Sequence, residues 1–221
     1  TGSTLSVSGA LDLSSGTFSS DNNSMLDLQA ATTLSANDQV TGQDPVTFED
    51  VHFNGNVLTL GSASTHLKVN DALALSGIAL ETGAGSLSLS GALALTDNAS
   101  LNSSGGTITL LSGGSASTGS VVFLPDTTLV THNYLSFIGS TLKLKNTTFT
   151  TNGYALALSF GSILEVEGTQ NISGFYADNT STDFSPTLRL TADTQLNNNA
   201  WFNVNTLDLA DFALTLDDNM S

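Results

Sequence analysis

The chain has no cysteine among its 221 residues, which excludes disulfide staples and thiolate metal sites as sources of stability. Cations are nearly as scarce: Lys68, Lys143, Lys145 and Arg189 stand against 20 Asp and Glu, for a formal net charge of −16. A surface of that sign repels nucleic-acid phosphates and anionic lipid heads, and four cations release too few counterions to bind either, so nucleic acid is excluded as a partner. Charged residues of both signs make up only 11% of the chain. The polar remainder is Ser, Thr, Asn and Gly, which disfavours long surface helices because their exposed faces need strong helix formers. No apolar run approaches the roughly 20 residues that span a bilayer, so no membrane insertion by this segment is expected.

What is abundant is a phrase. "STLSVSGALDL" at 3–13 returns as "THLKVNDALAL" at 65–75 and "GSLSLSGALAL" at 85–95. Each copy reads apolar-x-apolar, a three-residue gap, then apolar-x-apolar: Leu5, Val7, Leu11, Leu13; Leu67, Val69, Leu73, Leu75; Leu87, Leu89, Leu93, Leu95. Period-two alternation marks short strands with one buried face, and the gap reads as a corner. Looser copies follow at Leu26 and Leu28, Leu142 and Leu144, Leu164 and Val166, Leu188 and Leu190, and Leu207 and Leu209 with Leu214 and Leu216. The first apolar positions, Leu5, Leu26, Val46, Leu67, Leu87 and Ile108, are separated by 21, 20, 21, 20 and 21 residues. From Ile108 there are 34 residues to Leu142, then 22, 24 and 19. That long interval reads as a coil carrying an insertion, with any long loop placed within 112–135.

A unit of this length cannot enclose a core alone, but stacked copies can. The fold expected is all-β: a single-stranded, right-handed parallel β-helix of about ten coils of roughly 20 residues. At about 4.8 Å per coil this makes a rod near 50 Å long. One domain spans 1–221, with more regular coils over 1–111 and looser coils with longer loops over 112–221. The opening segment has no capping helix, and an open strand edge invites pairing, so the chain is expected to be a fragment of a longer protein. A β-sandwich or a propeller is the competing architecture, but a sandwich's hairpins favour Asn-Gly and Asp-Gly turns, and Asn54-Gly55 and Asn152-Gly153 are the clear cases here. "MLDLQAATTLSA" at 25–36 fits either a short helix or the strand phrase.

"STLSVSGALDLSSGTF" and "STLKLKNTTFTTNG" resemble the passenger domains of bacterial autotransporters and related β-helical adhesins, in which Leu-x-Leu strands alternate with Gly, Ser, Thr and Asn corners. The resemblance implies a secreted or surface-displayed β-helix used for adhesion or as a stalk. Phe53-Asn54-Gly55-Asn56 and Phe202-Asn203-Val204-Asn205 also resemble the Phe-x-x-Asn motif of chlamydial polymorphic membrane proteins. Their Gly-Gly-Ala-aliphatic motif survives here only as Gly105-Gly106-Thr107-Ile108, and the absence of cysteine departs from that family.

Chemistry-bearing residues are sparse. Lyase chemistry needs a base and a cation facing the substrate carboxylate, and hydrolysis needs paired carboxylates. Arg189, Lys143 and Lys145 alternate with inward leucines and read as an outward, solvated strand face. Asp21, Asp97 and Asp217 with Asp218 sit beside asparagines, where they read as turn formers bonding their own backbone. No cofactor is expected, and calcium is the one that these clusters would suit. His52, His66 and His132 are isolated and lack ligand spacing. "ETGAGSLSL" at 81–89 runs from strand into strand, without the helix that a phosphate loop requires.

Aromatics thicken the second half, and alternation in Trp201-Phe202-Asn203-Val204 points Trp201 outward. Trp201, Tyr176 and Tyr134 are therefore the candidate ligand contacts, through stacking on a sugar ring or as a partner hotspot; covering the core beneath a loop is the plainer alternative for Trp201. The function expected is a non-enzymatic structural or adhesive rod on a bacterial surface, meeting a host or neighbouring-cell protein or glycan. A carbohydrate-active or carbohydrate-binding β-helix is the alternative. A self-assembling sheath or shell component, formed by end-to-end association, is a further one.

Overall fold

The computed structural model describes residues 3–13, 23–36, 46–154, 156–173, 176–177, 186–197, 201–202, 204 and 206–216. These residues are all-β, with no helix, and every strand pairing among them is parallel. The chain winds repeatedly over three faces, each strand lying against its equivalent in the coil before and the coil after. The first face carries Thr4–Val7, Met25–Leu28 and Asp50–His52 as one sheet, then the seven strands from Leu73–Ser76 to Trp201–Phe202 as another. The second and third faces belong to one 17-stranded sheet. The second is served by strands such as Ala79–Gly83, Val121–Pro125 and Thr141–Lys145, and the third by His66–Val69, Ser86–Leu89 and Thr107–Leu110. This is a β-solenoid of about eight turns of about 21 residues, slightly fewer than the ten expected. The segment 25–36 is two strands, Met25–Leu28 and Thr32–Ser35, and holds no helix.

The aliphatic alternation builds the interior as expected. Leu67 pairs with Leu87 and Leu73 with Leu93, and all four are buried. Each interior leucine thus rests on the same position one coil away, so the core is a set of columns along the rod. In the last described coil Leu207 and Leu216 follow the buried Leu188 and Leu196 in register, and both are half exposed.

The faces are assigned differently from the spacing argument. Leu5 pairs with Leu26 on the first face, but Leu26 pairs onward with Val51, while Val46 begins the third-face column Val46, Leu67, Leu87, Ile108, Leu129. The opening phrase turns the corner from first face to second, whereas its copies at 65–75 and 85–95 turn the corner from third face to first. The 34-residue interval likewise holds no inserted coil. Ile108 is followed in its column by Leu129, and Leu142 lies in the second-face column after Val122. The span 112–135 is occupied by strands Gly114–Ser117, Val121–Pro125 and Thr128–Thr131 instead of a long loop.

Corners are where the sheet must bend, and they are built from residues that accept left-handed backbone. Between the second and third faces Gly83, Gly105, Asp126, Asn146 and Gly168 occupy this region in successive coils, with φ of 52, 110, 50, 48 and 73°. Asparagine and aspartate tolerate it because their side chains bond locally. Asn146 Nδ2 donates to Asp126 Oδ1 at 3.1 Å, and Asn146 Oδ1 accepts from the Thr169 amide at 3.1 Å, so the corner is itself a ladder. Just inside this corner the buried Thr147 hydroxyl donates to the Leu124 carbonyl of the coil before, and at the corner between the first and second faces the buried Ser140 and Ser162 hydroxyls donate to the Ala116 and Phe137 carbonyls. Without such partners each buried carbonyl would cost about 1–3 kcal/mol.

Candidate functional site

The three candidate contact residues fall on one row. Leu135, Leu156 and Ala177 are partners on the first face, so Tyr134 and Tyr176, each one residue earlier, share a position, and Trp201 pairs directly with Tyr176. The row lies at the corner where the third face turns into the first. There the Tyr134 ring is 60% exposed and meets the Tyr154 ring edge-on, centroids 5.8 Å apart at 70°. The Tyr134 amide is fixed by Asn133 Oδ1 at 2.8 Å and its carbonyl accepts from Gly114 at 3.0 Å, which anchors the backbone beneath the ring. Tyr176 and Trp201 belong to the row by backbone register. Tyr154 was not singled out from the sequence; its place beside Tyr134 follows from the turn at Asn152 and Gly153, both in left-handed backbone.

The cations are outward, as the alternation requires, but they are paired. Lys143, Glu165, Arg189 and Asp208 stand in successive register on the second face and alternate in sign. Lys143 reaches Glu165 at 2.8 Å, Arg189 reaches Glu165 at 3.4 Å and Asp208 at 3.0 Å, and Lys145 reaches Glu167 at 2.6 Å. The Glu167 hydrogen bond and charge push the Lys145 pKa above the ordinary lysine value, and Asp208 chiefly does the same for Arg189. Exposed pairs of this kind contribute little stability singly. Each of Lys143, Lys145 and Arg189 is matched to at least one carboxylate.

Of the acidic turns Asp97 is described, and its carboxylate is held by hydroxyl side chains, one of them a coil away. Asp97 sits in left-handed backbone and accepts from Ser76 at 2.7 Å and Thr96 at 3.1 Å, which lowers its pKa. No group of three or more His, Asp or Glu is gathered as a ligand set among the described residues. Asp21, Asp217 and Asp218 lie outside the described residues. His52 Nε2 lies 2.8 Å from Asp50 Oδ2, His66 Nε2 lies 2.8 Å from the Ser88 hydroxyl, and His132 meets Asn152. The Phe53-Asn54-Gly55-Asn56 motif serves the turn itself. Phe53 is buried, Asn54 and Gly55 take φ of 49 and 77°, and the side-chain amides of Asn54 and Asn56 both donate to the Leu28 carbonyl.

Asn54 also donates to Asp27 at 2.7 Å, and with Gln29 and Ser6 it lowers the Asp27 pKa. A carboxylate that binds its proton less readily when folded stabilises the fold above the ordinary aspartate value, and this contribution is lost as pH falls through the lower, folded value. An NMR titration should therefore give Asp27 a midpoint below that of an unfolded peptide, and Asn54→Ala should raise it. An unmoved midpoint in that variant would show that the hydrogen bond is not the cause.

No protein-family model, curated protein or solved structure matches this chain.

Proposed function

We propose that this protein is a non-enzymatic structural or adhesive segment of a bacterial secreted or cell-surface protein, of the kind seen in autotransporter passengers, whose coils hold a contact surface away from the cell. The observation that carries this reading is the aromatic row. Tyr134, Tyr176 and Trp201 occupy one register position along a single corner. Aromatic rings supply large contact area at little entropic cost, which suits a partner surface. The solenoid beneath them fixes the spacing of the row, since each coil is bonded to its neighbours on three faces.

The partner is a protein or glycan of a host or neighbouring cell, and the rod works outside the cell that makes it. The test is retention of host or bacterial cells on immobilised protein. Tyr134→Ala combined with Tyr154→Ala should reduce retention at least tenfold while leaving the melting temperature within a few degrees, because Tyr134 is 60% and Tyr154 40% exposed and neither belongs to the buried core. Undiminished retention by that variant would remove the corner from consideration.

A further inference from the structure

We propose that the second face carries a binding cleft for a neutral oligosaccharide, centred on Phe123. The strand Val121–Pro125 sends Val122 and Leu124 into the core, at 5% and 0% exposure, and turns Phe123 outward at 38%. Its row along the rod is otherwise polar: Glu81, Asn102, Phe123, Lys143 and Glu165 follow one another in register. A lone exposed phenylalanine is ordinary. This one is where two concavities meet. A cleft of about 400 Å³ runs from Asn102 and Phe123 to Lys143, Lys145, Glu165 and Glu167, and a second of about 300 Å³ runs from the same pair to Glu81 and Ser104. Each is near the lower end of the range for small-molecule sites, roughly 300–1,000 Å³.

The lining selects the occupant. Asn102 Nδ2 donates to Glu81 Oε1 at 2.7 Å, Lys143 is held to Glu165 at 2.8 Å and Lys145 to Glu167 at 2.6 Å. The rim therefore offers donors and acceptors in close pairs, with each lysine matched to a carboxylate. A pyranose ring answers both features. Its C–H face stacks on the phenyl ring, and its neighbouring hydroxyls bridge a donor and an acceptor at once, as the amide–carboxylate and ammonium–carboxylate pairs require. A polyanion would find the lysines already neutralised and would be repelled by the net charge of −16. Successive coils stand about 4.8 Å apart, comparable to the advance of one sugar ring in an extended chain. An oligosaccharide lying along the rod would accordingly meet Asn102, Phe123 and Lys143 in turn.

The cleft lies on the second face, away from the aromatic corner, and the two stand or fall separately. Calorimetric titration of the whole chain with cellohexaose, laminarihexaose, mannohexaose and oligogalacturonate is the test. Saturable binding of at least one neutral hexamer is expected, weakened at least tenfold in Phe123→Ala and in Asn102→Ala, kept in Phe123→Trp, and unaffected by Tyr134→Ala. Absence of binding to all three neutral hexamers at millimolar concentration, preference for oligogalacturonate, or neutral binding that survives Phe123→Ala overturns the proposal.

Discussion

Leu89→Asp should leave no cooperative melting transition, while Ser88→Asp, one residue away, should melt within a few degrees of the parent. Leu89 is fully buried between Val69 and Leu110, its partners in the adjoining coils. A carboxylate there has no partner and no water. The penalty for an isolated buried charge, even after it is reduced by protonation, is comparable to the whole stability of a domain, about 5–15 kcal/mol. Ser88 points the other way. It stands in register with Lys68 and bonds His66 at 2.8 Å, so a negative charge there is stabilised by its surroundings. Circular dichroism melts of the two variants settle the matter, and similar midpoints would contradict the inward and outward assignment of this strand.

The second large effect is expected at a glycine. A Cβ added to Gly106 would lie 1.9 Å from the Gly85 carbonyl oxygen and 2.8 Å from its carbon. Both atoms are backbone of the coil before, so the clash is relieved only by forcing two coils apart. Gly106→Ala should cost about 3 kcal/mol or more in urea unfolding, in the range reserved for disrupted packing or backbone strain. Gly153→Ala is the control. Its φ is +87° but nothing lies within 4 Å, so it should cost only the left-handed strain of about 1 kcal/mol. Equal losses in the two variants would mean that coil separation at Gly106 is not limiting.

Strand positions were legible because an interior column tolerates little but aliphatic side chains, and the demand recurs every coil. Which face a strand occupies was not legible. All three faces write their interior in the same Leu-x-Leu form, so Leu26 and Val46 looked equivalent although one continues to Val51 and the other to Leu67. The corner chemistry was hidden for a related reason. Thr147, Ser140 and Ser162 are buried and hold carbonyls of neighbouring coils, but in a chain so rich in hydroxyls nothing separates them from exposed ones.

The candidate row was half visible. Tyr134, Tyr176 and Trp201 drew notice as aromatics, whereas their common position depends on coil lengths of 21 and 25 residues between Leu156, Ala177 and Phe202, which only pairing reveals. Phe123 was missed because Val121, Val122, Phe123 and Leu124 form one apolar run in which the outward member cannot be told from the inward ones. The alternation restarts at Leu142, one coil later, and counting back from it would have placed Phe123 on the outer surface beside Lys143.

The direction of the hydrogen bonds has a mechanical meaning. In all three faces they run along the rod, from each coil to the next, and not around it. Tension applied along the stack therefore loads successive coil interfaces in series, so the interface with the fewest bonds separates first. A sideways load, by contrast, is shared across every bond between two coils at once, because the strands must slide past one another together. A stack of this construction therefore resists the sliding of one coil across the next better than their separation along the axis.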